Sequence, residues 1–253
     1  MGAFIEVRDV EKVYAARAGA RQALRPTSLD IAAGEFVSIV GPSGCGKTTL
    51  MKIVAGLLPA SAGEVRIDGV PVHEPPDGVG VVFQAATLLR WRTVLDNVLV
   101  PADATGRPRA QYEPVARALI RLVGLEGFDG HYPRELSGGM QQRVAISRAL
   151  LLGPRLLLMD EPFGALDAMT REEMNLELQR IWNEQRQTVL FITHSIDEAV
   201  FLSDRVVVMT LRPGGVREIL AIELPRPRTL QVRTHPRFVE YVGRIRELIF
   251  TKS

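Results

Sequence analysis

The chain has 253 residues, of which 46% are hydrophobic and 24% are charged, and its formal net charge is +2. This length allows a sizeable core, and so mild a charge argues against nucleic acid as a partner. The longest stretch without a charged residue, 78–89, has 12 residues, well short of the roughly 20 apolar residues that span a bilayer.

The cysteine and histidine content limits the chemistry further. A single cysteine excludes an internal disulfide, which is typical of a reducing compartment, and the four histidines lack the spacing of a zinc site. No basic segment leads into an apolar one at residues 1–6, so we expect no secretory leader.

The N-terminal part of the chain alternates between strand and loop patterns. Residues 4–10 and 28–31 are predicted strands, and the small residues at 15–20 predict a loop between them. Tyr14 lies just before that loop. Its ring either stacks on a purine or packs against the core, and the residues alone leave both interpretations open.

The stretch 41–49 fits the phosphate-loop pattern G-x-x-x-x-G-K-[ST] without a mismatch. An apolar run at 35–40 predicts a strand before it, and apolar residues at helical spacing predict a helix after it. The glycines let backbone N–H groups surround a polyphosphate; we expect Lys47 to reach the β- and γ-phosphates and the Thr48 hydroxyl to bind Mg²⁺. The loop alone does not distinguish kinases, motors, GTPases and transport ATPases. The expected nucleotide-contacting residues are Gly41, Ser43, Gly44, Cys45, Gly46, Lys47, Thr48 and Thr49.

Further strands lead to the next candidate residue. Residues 64–68 predict a half-exposed strand, and residues 79–83 predict a buried strand that ends at Gln84. A Gln at the carboxyl end of such a strand lies where open α/β sheets bind their ligands. Its amide is a candidate contact for Mg²⁺ or for the attacking water, and an ordinary loop role is the alternative.

The pattern becomes helical from residue 90 to residue 152 and predicts an inserted helical lobe. Within this lobe, the sequence L-S-G-G-M-Q-Q-R at 136–143 opens a helix. Ser137 and the two glycines after it either cap that helix or present a hydroxyl and N–H groups to an anion.

An apolar strand at 156–159 ends in two adjacent carboxylates, Asp160 and Glu161. Carboxylates in this position need partners, because burying a charge is costly. We expect Asp160 to hold Mg²⁺ together with Thr48, directly or through water. We expect Glu161 to orient or deprotonate a water aimed at the γ-phosphate.

Two more candidates follow at the next turns. Residues 164–167 form a predicted turn that ends in Asp167 and leads into an amphipathic helix. The buried strand at 188–193 ends at His194, at the same sheet edge as the carboxylates, so a contact to the γ-phosphate stands beside an ordinary structural role. Ser195 and Glu198 fit a capping box for the helix that follows.

Residues 205–210 and 216–222 complete the predicted strands. The stretch 226–253 carries seven basic residues against two acidic ones and contains the apolar spacing of an amphipathic helix, Phe238, Val242, Ile245 and Ile249. Its basic face is either solvated or in contact with an anionic surface.

The order of these motifs, from Tyr14 and the phosphate loop through Gln84, L-S-G-G-M-Q-Q-R, L-L-L-M-D-E and A-L-D to His194, resembles the nucleotide-binding subunits of ABC transporters over essentially the whole chain. The resemblance implies an α/β fold: a P-loop NTPase (RecA-like) core with an antiparallel β subdomain and an inserted helical subdomain. The implied division is a nucleotide-binding domain at 1–225, with the helical subdomain at about 87–152, and a basic C-terminal tail at 226–253.

The resemblance also implies an ATPase that uses ATP and Mg²⁺ and works as two copies closed head to tail. Each ATP would lie between one phosphate loop and the 137–141 segment of the other copy, through Ser137, Gly138, Gly139 and Gln141. The implied roles are adenine stacking for Tyr14, the Q-loop residue for Gln84, the catalytic carboxylate for Glu161, the D-loop residue for Asp167 and the switch histidine for His194. The implied magnesium ligands are Thr48, Gln84 and Asp160. Ser195 stands where many relatives carry Asp, and we expect no loss of activity from that difference.

A narrower likeness connects the segments 83–98 and 224–228 with the nitrate, sulfonate and taurine uptake branch of the family. It implies a separate integral membrane permease that faces Trp91 and its neighbours, an external solute-binding protein, and a peripheral position on the cytoplasmic face of the membrane. The alternatives are a cassette of an exporter or lipid transporter, and a soluble ABC ATPase acting on nucleic acid or the ribosome. The single cassette and the near-neutral charge count against the soluble alternative.

Overall fold

The apolar and amphipathic runs of the sequence form strands and helices in a computed structural model that describes residues 3–16, 19–211 and 214–251. The strands are β1 (Ile5–Ala16), β2 (Gly19–Ile31), β3 (Phe36–Val40), β4 (Ala62–Ile67), β5 (Val70–Pro71), β6 (Val79–Val82), β7 (Leu156–Asp160), β8 (Thr188–Ile192), β9 (Arg205–Thr210) and β10 (Gly215–Ala221). The α-helices are α1 (Lys47–Val54), α2 (Val94–Ala104), α3 (Arg109–Leu122), α4 (Gly138–Leu150), α5 (Ala168–Gln185), α6 (Ile196–Leu202) and α7 (Pro236–Phe250). Within the described ranges, no helix combines the length and the apolar character needed to cross a membrane.

The larger sheet brings the predicted functional segments to one edge. Its strand order is β10-β9-β3-β8-β7-β6; β10 is antiparallel to β9, and the other neighbours are parallel. Ile192 at the end of β8 pairs with Ile39 of β3 on one side and with Asp160 of β7 on the other. The phosphate loop, the two carboxylates and His194 therefore leave the sheet side by side.

The central strands are buried on both faces, which explains why their sequences are apolar throughout. In β7, Leu156 and Leu158 belong to the core beneath α1, whereas Leu157 and Met159 belong to the core on the opposite face. The residues of β8 alternate in the same way. Burying a large aliphatic side chain of this kind contributes about 1.5–3 kcal/mol, so these runs fix both the sheet and the helices that cover it.

The smaller sheet has the antiparallel order β2-β1-β4-β5. The strands predicted at 4–10 and 28–31 are present, but the hairpin is longer than predicted. The loop predicted at 15–20 is wrong at both flanks, because Ala15 and Ala16 belong to β1 and Gly19 and Ala20 to β2; its centre, residues 17 and 18, lies outside the described residues. Most residues in the outer part of this hairpin are partly or fully exposed, so no alternation of apolar residues marks it.

Helices α2, α3 and α4 pack against one another in the region predicted to be a helical lobe. A buried amide fixes the segment that leads into them from Gln84. The Asn97 side chain accepts a hydrogen bond from the Leu89 N–H at 2.8 Å and donates to the carbonyls of Leu89 at 3.1 Å and Thr93 at 2.9 Å. The boundaries given above for the subdomain and the tail stay a prediction.

A buried arginine fastens the C-terminal segment to the core. Arg228 donates to the carbonyls of Val200, Phe201 and Ser203 at the end of α6, over 2.9, 3.0 and 2.8 Å. The carboxyl end of a helix carries partial negative charge, which suits a cation. Burial lowers the pKa of Arg228 to about 10, so the guanidinium remains charged at neutral pH.

The terminal helix α7 packs on the same side of the core as the Arg228 side chain. Of its predicted apolar face, Phe238 and Ile245 are buried, and Val242 and Ile249 are partly buried against the core. Several basic side chains of this segment form ion pairs within the chain: Arg233 with Glu172, Arg237 with Glu223, and Arg244 with Glu218.

We expect Arg228→Gln to lower the free energy of unfolding by about 2 kcal/mol or more, because three buried carbonyls lose a charged donor. Urea unfolding followed by circular dichroism measures this loss. Arg244→Gln is the matched control, since Arg244 pairs with Glu218 at the surface and exposed pairs contribute little. Equal losses in the two variants would contradict the anchoring role of Arg228.

Candidate active site

The loop between β3 and α1 has the backbone of a phosphate-binding loop. Gly46, at the start of α1, has φ +98°, and a Cβ at this position would lie 2.9 Å from the Ala23 carbonyl oxygen. Only glycine fits both conditions. Lys47 is buried, and its Nζ donates to the carbonyls of Gly41 at 2.8 Å and Pro42 at 3.1 Å. The ammonium group is therefore held inside the loop.

Asp160, the last residue of β7, lies beneath this loop and is buried. Its Oδ1 has no hydrogen-bond partner among the described residues. Burial raises the pKa of Asp160, and a hydrogen bond with the Thr48 side chain and the positive charge of Lys47 act in the opposite direction. The site thus contains a buried carboxylate with one oxygen whose hydrogen-bonding capacity is unused among the described residues.

Glu161 turns away from the strand that carries Asp160. Its φ of +48° lies in the left-handed region, which costs a non-glycine residue about 1–3 kcal/mol. Its Oε1 lies 2.5 Å from His194 Nε2, and its Oε2 accepts a hydrogen bond from Gln84 Nε2 at 3.0 Å. The structure thus brings together three predicted residues from the ends of three adjacent strands.

The residues around His194 differ from the predicted capping box. The Ser195 hydroxyl accepts a hydrogen bond from the Glu198 N–H at 3.2 Å, as predicted. The Glu198 carboxylate, however, accepts a hydrogen bond from Thr193 Oγ1, and the Ser195 N–H donates to that same Thr193 oxygen at 3.0 Å. The reciprocal half of the box is therefore wrong, because the hydroxyl of Thr193 binds both groups.

Most predicted residues of the phosphate loop and the Glu161 cluster line a common cleft of about 1050 Å³, whereas Gly41, Cys45 and Asp160 do not line it. The predicted residues that line it are Tyr14, Ser43, Gly44, Gly46, Lys47, Thr48, Thr49, Gln84, Glu161 and His194. The Tyr14 ring is 40% exposed and lies at the side of the cleft formed by β1 and β2. Cys45 is fully buried, and burial raises the pKa of its thiol.

Sequence reasoning missed one wall of this cleft. That wall consists of Arg21, Gln22, Ala23, Leu211 and Gly214. Arg21 reaches the cleft because it pairs with Tyr14 across the hairpin. Nothing in the local sequence of these five residues marks a ligand site. For Arg21 the available signal is the pairing of β1 with β2, whereas Leu211 and Gly214 reach the cleft from the turn between β9 and β10.

The other predicted contact residues lie outside the cleft of this chain. The Ser137 hydroxyl caps α4 by accepting from the Met140 N–H at 3.3 Å, and Gln141 donates to the Pro133 carbonyl at 3.0 Å. Asp167 caps α5 by accepting from the Thr170 N–H at 3.0 Å, a bond that lowers the pKa of this carboxyl. Ser137, Gly138 and Asp167 are exposed, and Gly139 is partly exposed.

We expect Asp160→Asn to raise the free energy of unfolding of the nucleotide-free chain at pH 7, because it removes a buried charge. The folded chain raises the pKa of Asp160 above the ordinary value of 3.8, so the ionised carboxylate is disfavoured in the folded state. The destabilisation by the ionised Asp160 carboxylate is fully present above the pKa that this group has in the folded state, and it disappears below pH 3.8. Denaturant unfolding in EDTA should therefore show a gain at pH 7 that shrinks as the pH falls, and a constant gain would contradict this account.

Comparisons with known proteins agree with this geometry. A family model described as "ABC transporter" matches residues 24–164. An uncharacterized ABC transporter ATP-binding protein of Methanocaldococcus jannaschii is 48% identical over 245 residues, which are 97% of this chain and 91% of the relative. An aliphatic sulfonates import ATP-binding protein of Bacillus cereus is 42% identical over 225 residues, 89% of this chain and 88% of the relative.

Solved structures show the same fold. The dimeric structure of a bacterial ABC transporter cassette matches with a TM-score of 0.80 at 34% identity, covering 87% of this chain and 100% of that chain. A dimeric cassette in a post-hydrolysis state, bound to ADP and Pi, matches with a TM-score of 0.78 at 33% identity over the same shares. The predicted P-loop NTPase fold is confirmed. The chain belongs to the ABC transporter family and is one of its ATPase cassettes.

Proposed function

We propose that this chain is the ATP-hydrolysing subunit of an ABC importer that takes up a small anion, such as a sulfonate, taurine or nitrate, through a separate membrane permease. The observation that carries the ATPase part is the position of the Glu161 carboxylate, held by His194 and Gln84 in the same cleft as Lys47. The name of the Bacillus cereus relative, 42% identical, supports the sulfonate class and the direction of transport.

In this proposal the cleft holds ATP. The Tyr14 ring stacks on the adenine, and the 41–49 loop surrounds the phosphates with its N–H groups and the amino end of α1. Lys47, whose Nζ is held by loop carbonyls, supplies positive charge to the β- and γ-phosphates. The wall formed by β2 adds the Arg21 side chain near the nucleotide.

The residues present also fit a magnesium ion. Mg²⁺ prefers oxygen ligands, and the Thr48 hydroxyl, the Gln84 amide oxygen and the Asp160 carboxylate are the proposed donors. The buried Asp160 Oδ1, which has no hydrogen-bond partner among the described residues, supports this assignment. A bound Mg²⁺ would supply positive charge that offsets the negative charge of the phosphates.

For hydrolysis we assign the proton transfer to Glu161. Its carboxylate accepts a proton from the attacking water while the water oxygen bonds to the γ-phosphorus, and the bond to the β-phosphate oxygen breaks to release ADP. His194 lies against the same carboxylate at 2.5 Å and contacts the γ-phosphate. Gln84 fixes the other carboxylate oxygen.

The 137–141 segment, which is exposed at Ser137 and Gly138, is proposed to complete the site of a second copy. Ser137, Gly138, Gly139 and Gln141 all lie outside the cleft of their own chain, and Asp167 is exposed at the start of α5. The amino end of α4 suits a phosphate. The solved cassette structures that match this chain are described as dimeric, which supports a head-to-tail pair.

Glu161→Gln should bind ATP but hydrolyse it very slowly, so that ATP converts the variant from monomer to dimer. Size-exclusion chromatography with light scattering measures this shift. Introducing Ser137→Arg into the Glu161→Gln variant should abolish the shift, because the arginine blocks the contact of the 137–141 segment with the nucleotide of the other copy. Introducing Lys47→Ala instead should also abolish the shift, because it weakens nucleotide binding. Normal turnover by Glu161→Gln would remove Glu161 from its assigned role, and a shift that survives Ser137→Arg would contradict the shared site.

The proposed permease contact lies beside Gln84. Residues 85–88 line a groove of about 700 Å³ together with Arg90 and residues 133–134. Arg148 holds the groove wall by donating to the carbonyls of Thr87 at 3.1 Å and Ala86 at 3.0 Å. Trp91, the neighbour of Arg90 in the chain, is 74% exposed, and tryptophan is enriched at protein–protein interfaces.

The transport part is tested in source cells that lack the gene for this chain. Uptake of radiolabelled taurine, methanesulfonate or nitrate should return with the wild-type chain and not with Glu161→Gln. Trp91→Ala should reduce uptake while leaving the basal ATPase rate intact, because it removes only the permease contact. Val70→Ala, which changes another exposed apolar side chain, is the control. Unchanged uptake of all three anions in the deleted cells would reject this solute class and favour an exporter cassette.

A further inference from the structure

The two residues that flank His194 are both hydrogen-bonded to Glu198, Thr193 through its buried carboxylate and Ser195 through its backbone N–H. Thr193 Oγ1 donates to Glu198 Oε2 at 2.5 Å, and the Glu198 N–H donates to the Ser195 hydroxyl at 3.2 Å. The Ser195 N–H donates to Thr193 Oγ1 at 3.0 Å and closes the ring of contacts. The position of the His194 backbone therefore depends on Glu198.

Glu198 itself lies in the protein interior, where a carboxylate needs a positive partner. It is 5% exposed, and burial raises its pKa. The basic groups that face it are Arg171 of α5, whose Nε lies 3.6 Å from Glu198 Oε1, and Arg233 of the C-terminal segment; the acidic Asp197 is also near. Arg171 is thus the direct partner of the carboxylate.

Arg171 connects Glu198 to the segment that follows Glu161. Its Nε donates to the Phe163 carbonyl at 3.3 Å, and its Nη2 donates to the Leu166 carbonyl at 3.0 Å. One guanidinium therefore contacts the turn after Glu161 and also the carboxylate that holds the turn around His194. These two turns carry the two side chains that meet at 2.5 Å in the cleft.

We propose that Glu198 and Arg171 are positioning residues that set the distance between Glu161 and His194. The proposal rests on the function proposed above, since it assigns a purpose to that contact. Neither residue lines the nucleotide cleft. Both act through the backbone on either side of it, so their loss displaces His194 relative to Glu161 and leaves the phosphate loop in place.

The test compares Glu198→Gln and Arg171→Met with two matched control variants in α5. Glu198→Gln and Arg171→Met should each lower kcat about tenfold or more, because small displacements of reacting groups have large effects on rate. The affinity for mant-ATP should stay within about twofold of wild type, since the 41–49 loop is untouched. Glu184→Gln and Arg180→Met, which change an exposed ion pair on the same helix, should keep the wild-type rate.

A cycle with His194→Ala separates positioning from general damage to the fold. If Glu198 acts through His194, Glu198→Gln should have little further effect on kcat in the His194→Ala background. Thr193→Val, a change of similar volume that removes the hydroxyl, should reproduce the loss of rate if Glu198→Gln folds poorly. The His194 imidazole resonance, identified by its absence from the His194→Ala spectrum, should shift in both variants.

The outcomes distinguish this proposal from the function on which it rests. A wild-type chain without ATPase activity would contradict the proposed function. A wild-type chain that hydrolyses ATP, together with Glu198→Gln and Thr193→Val variants of normal kcat and unshifted His194 resonance, would overturn the positioning role alone. The positioning role would also be overturned if Glu198→Gln lowered kcat by the same factor in the wild-type and His194→Ala backgrounds.

Discussion

Hydrogen bonds between three parallel strands determine where the reactive groups of this molecule lie. The Glu161 N–H donates to the Ile192 carbonyl, and the Thr193 N–H donates to the Ile39 carbonyl, so β3, β7 and β8 end at one level. A slip of one residue between β7 and β8 would exchange the side chains of the two cores. Because both faces of these strands are packed, apolar burial enforces the register, and the register in turn places the carboxylates beside the phosphate loop.

The end of β7 at this sheet edge explains why the adjacent carboxylates of Asp160 and Glu161 have different environments. Asp160 is still in the strand, so its side chain is directed beneath the loop, where it is buried near Thr48. Glu161 adopts a left-handed conformation that ends the strand and turns its carboxylate into the cleft, against His194 and Gln84. The surrounding contacts compensate for the strain, which is the usual reason that such conformations persist at functional sites.

Local sequence patterns predicted most of the strands and most of the cleft, because apolar runs, glycines and strand-end polar residues are local signals. The outer hairpin was not predicted, since β1 and β2 pair there through mostly exposed residues. The cleft wall at Arg21 was missed for a similar reason, because the pairing of Arg21 with Tyr14 across this hairpin brings it to the cleft. The role of Glu198 was predicted only in part, because the pattern around Ser195 does not reveal that Thr193 and Arg171 hold its side chain.

The distribution of positive charge gives a physical reason for the head-to-tail pair in the proposed mechanism. Lys47 and Arg21 are the lysine and arginine side chains that line the cleft in the part of the chain described by the structure, and both belong to the side formed by the loop and the hairpin. The exposed amino end of α4, at Ser137 and Gly138, is a separate source of positive potential on the same molecule. In the proposed pair, attraction between this helix end and the phosphates of another copy requires bound nucleotide, so ATP itself would supply the charge that brings two copies together.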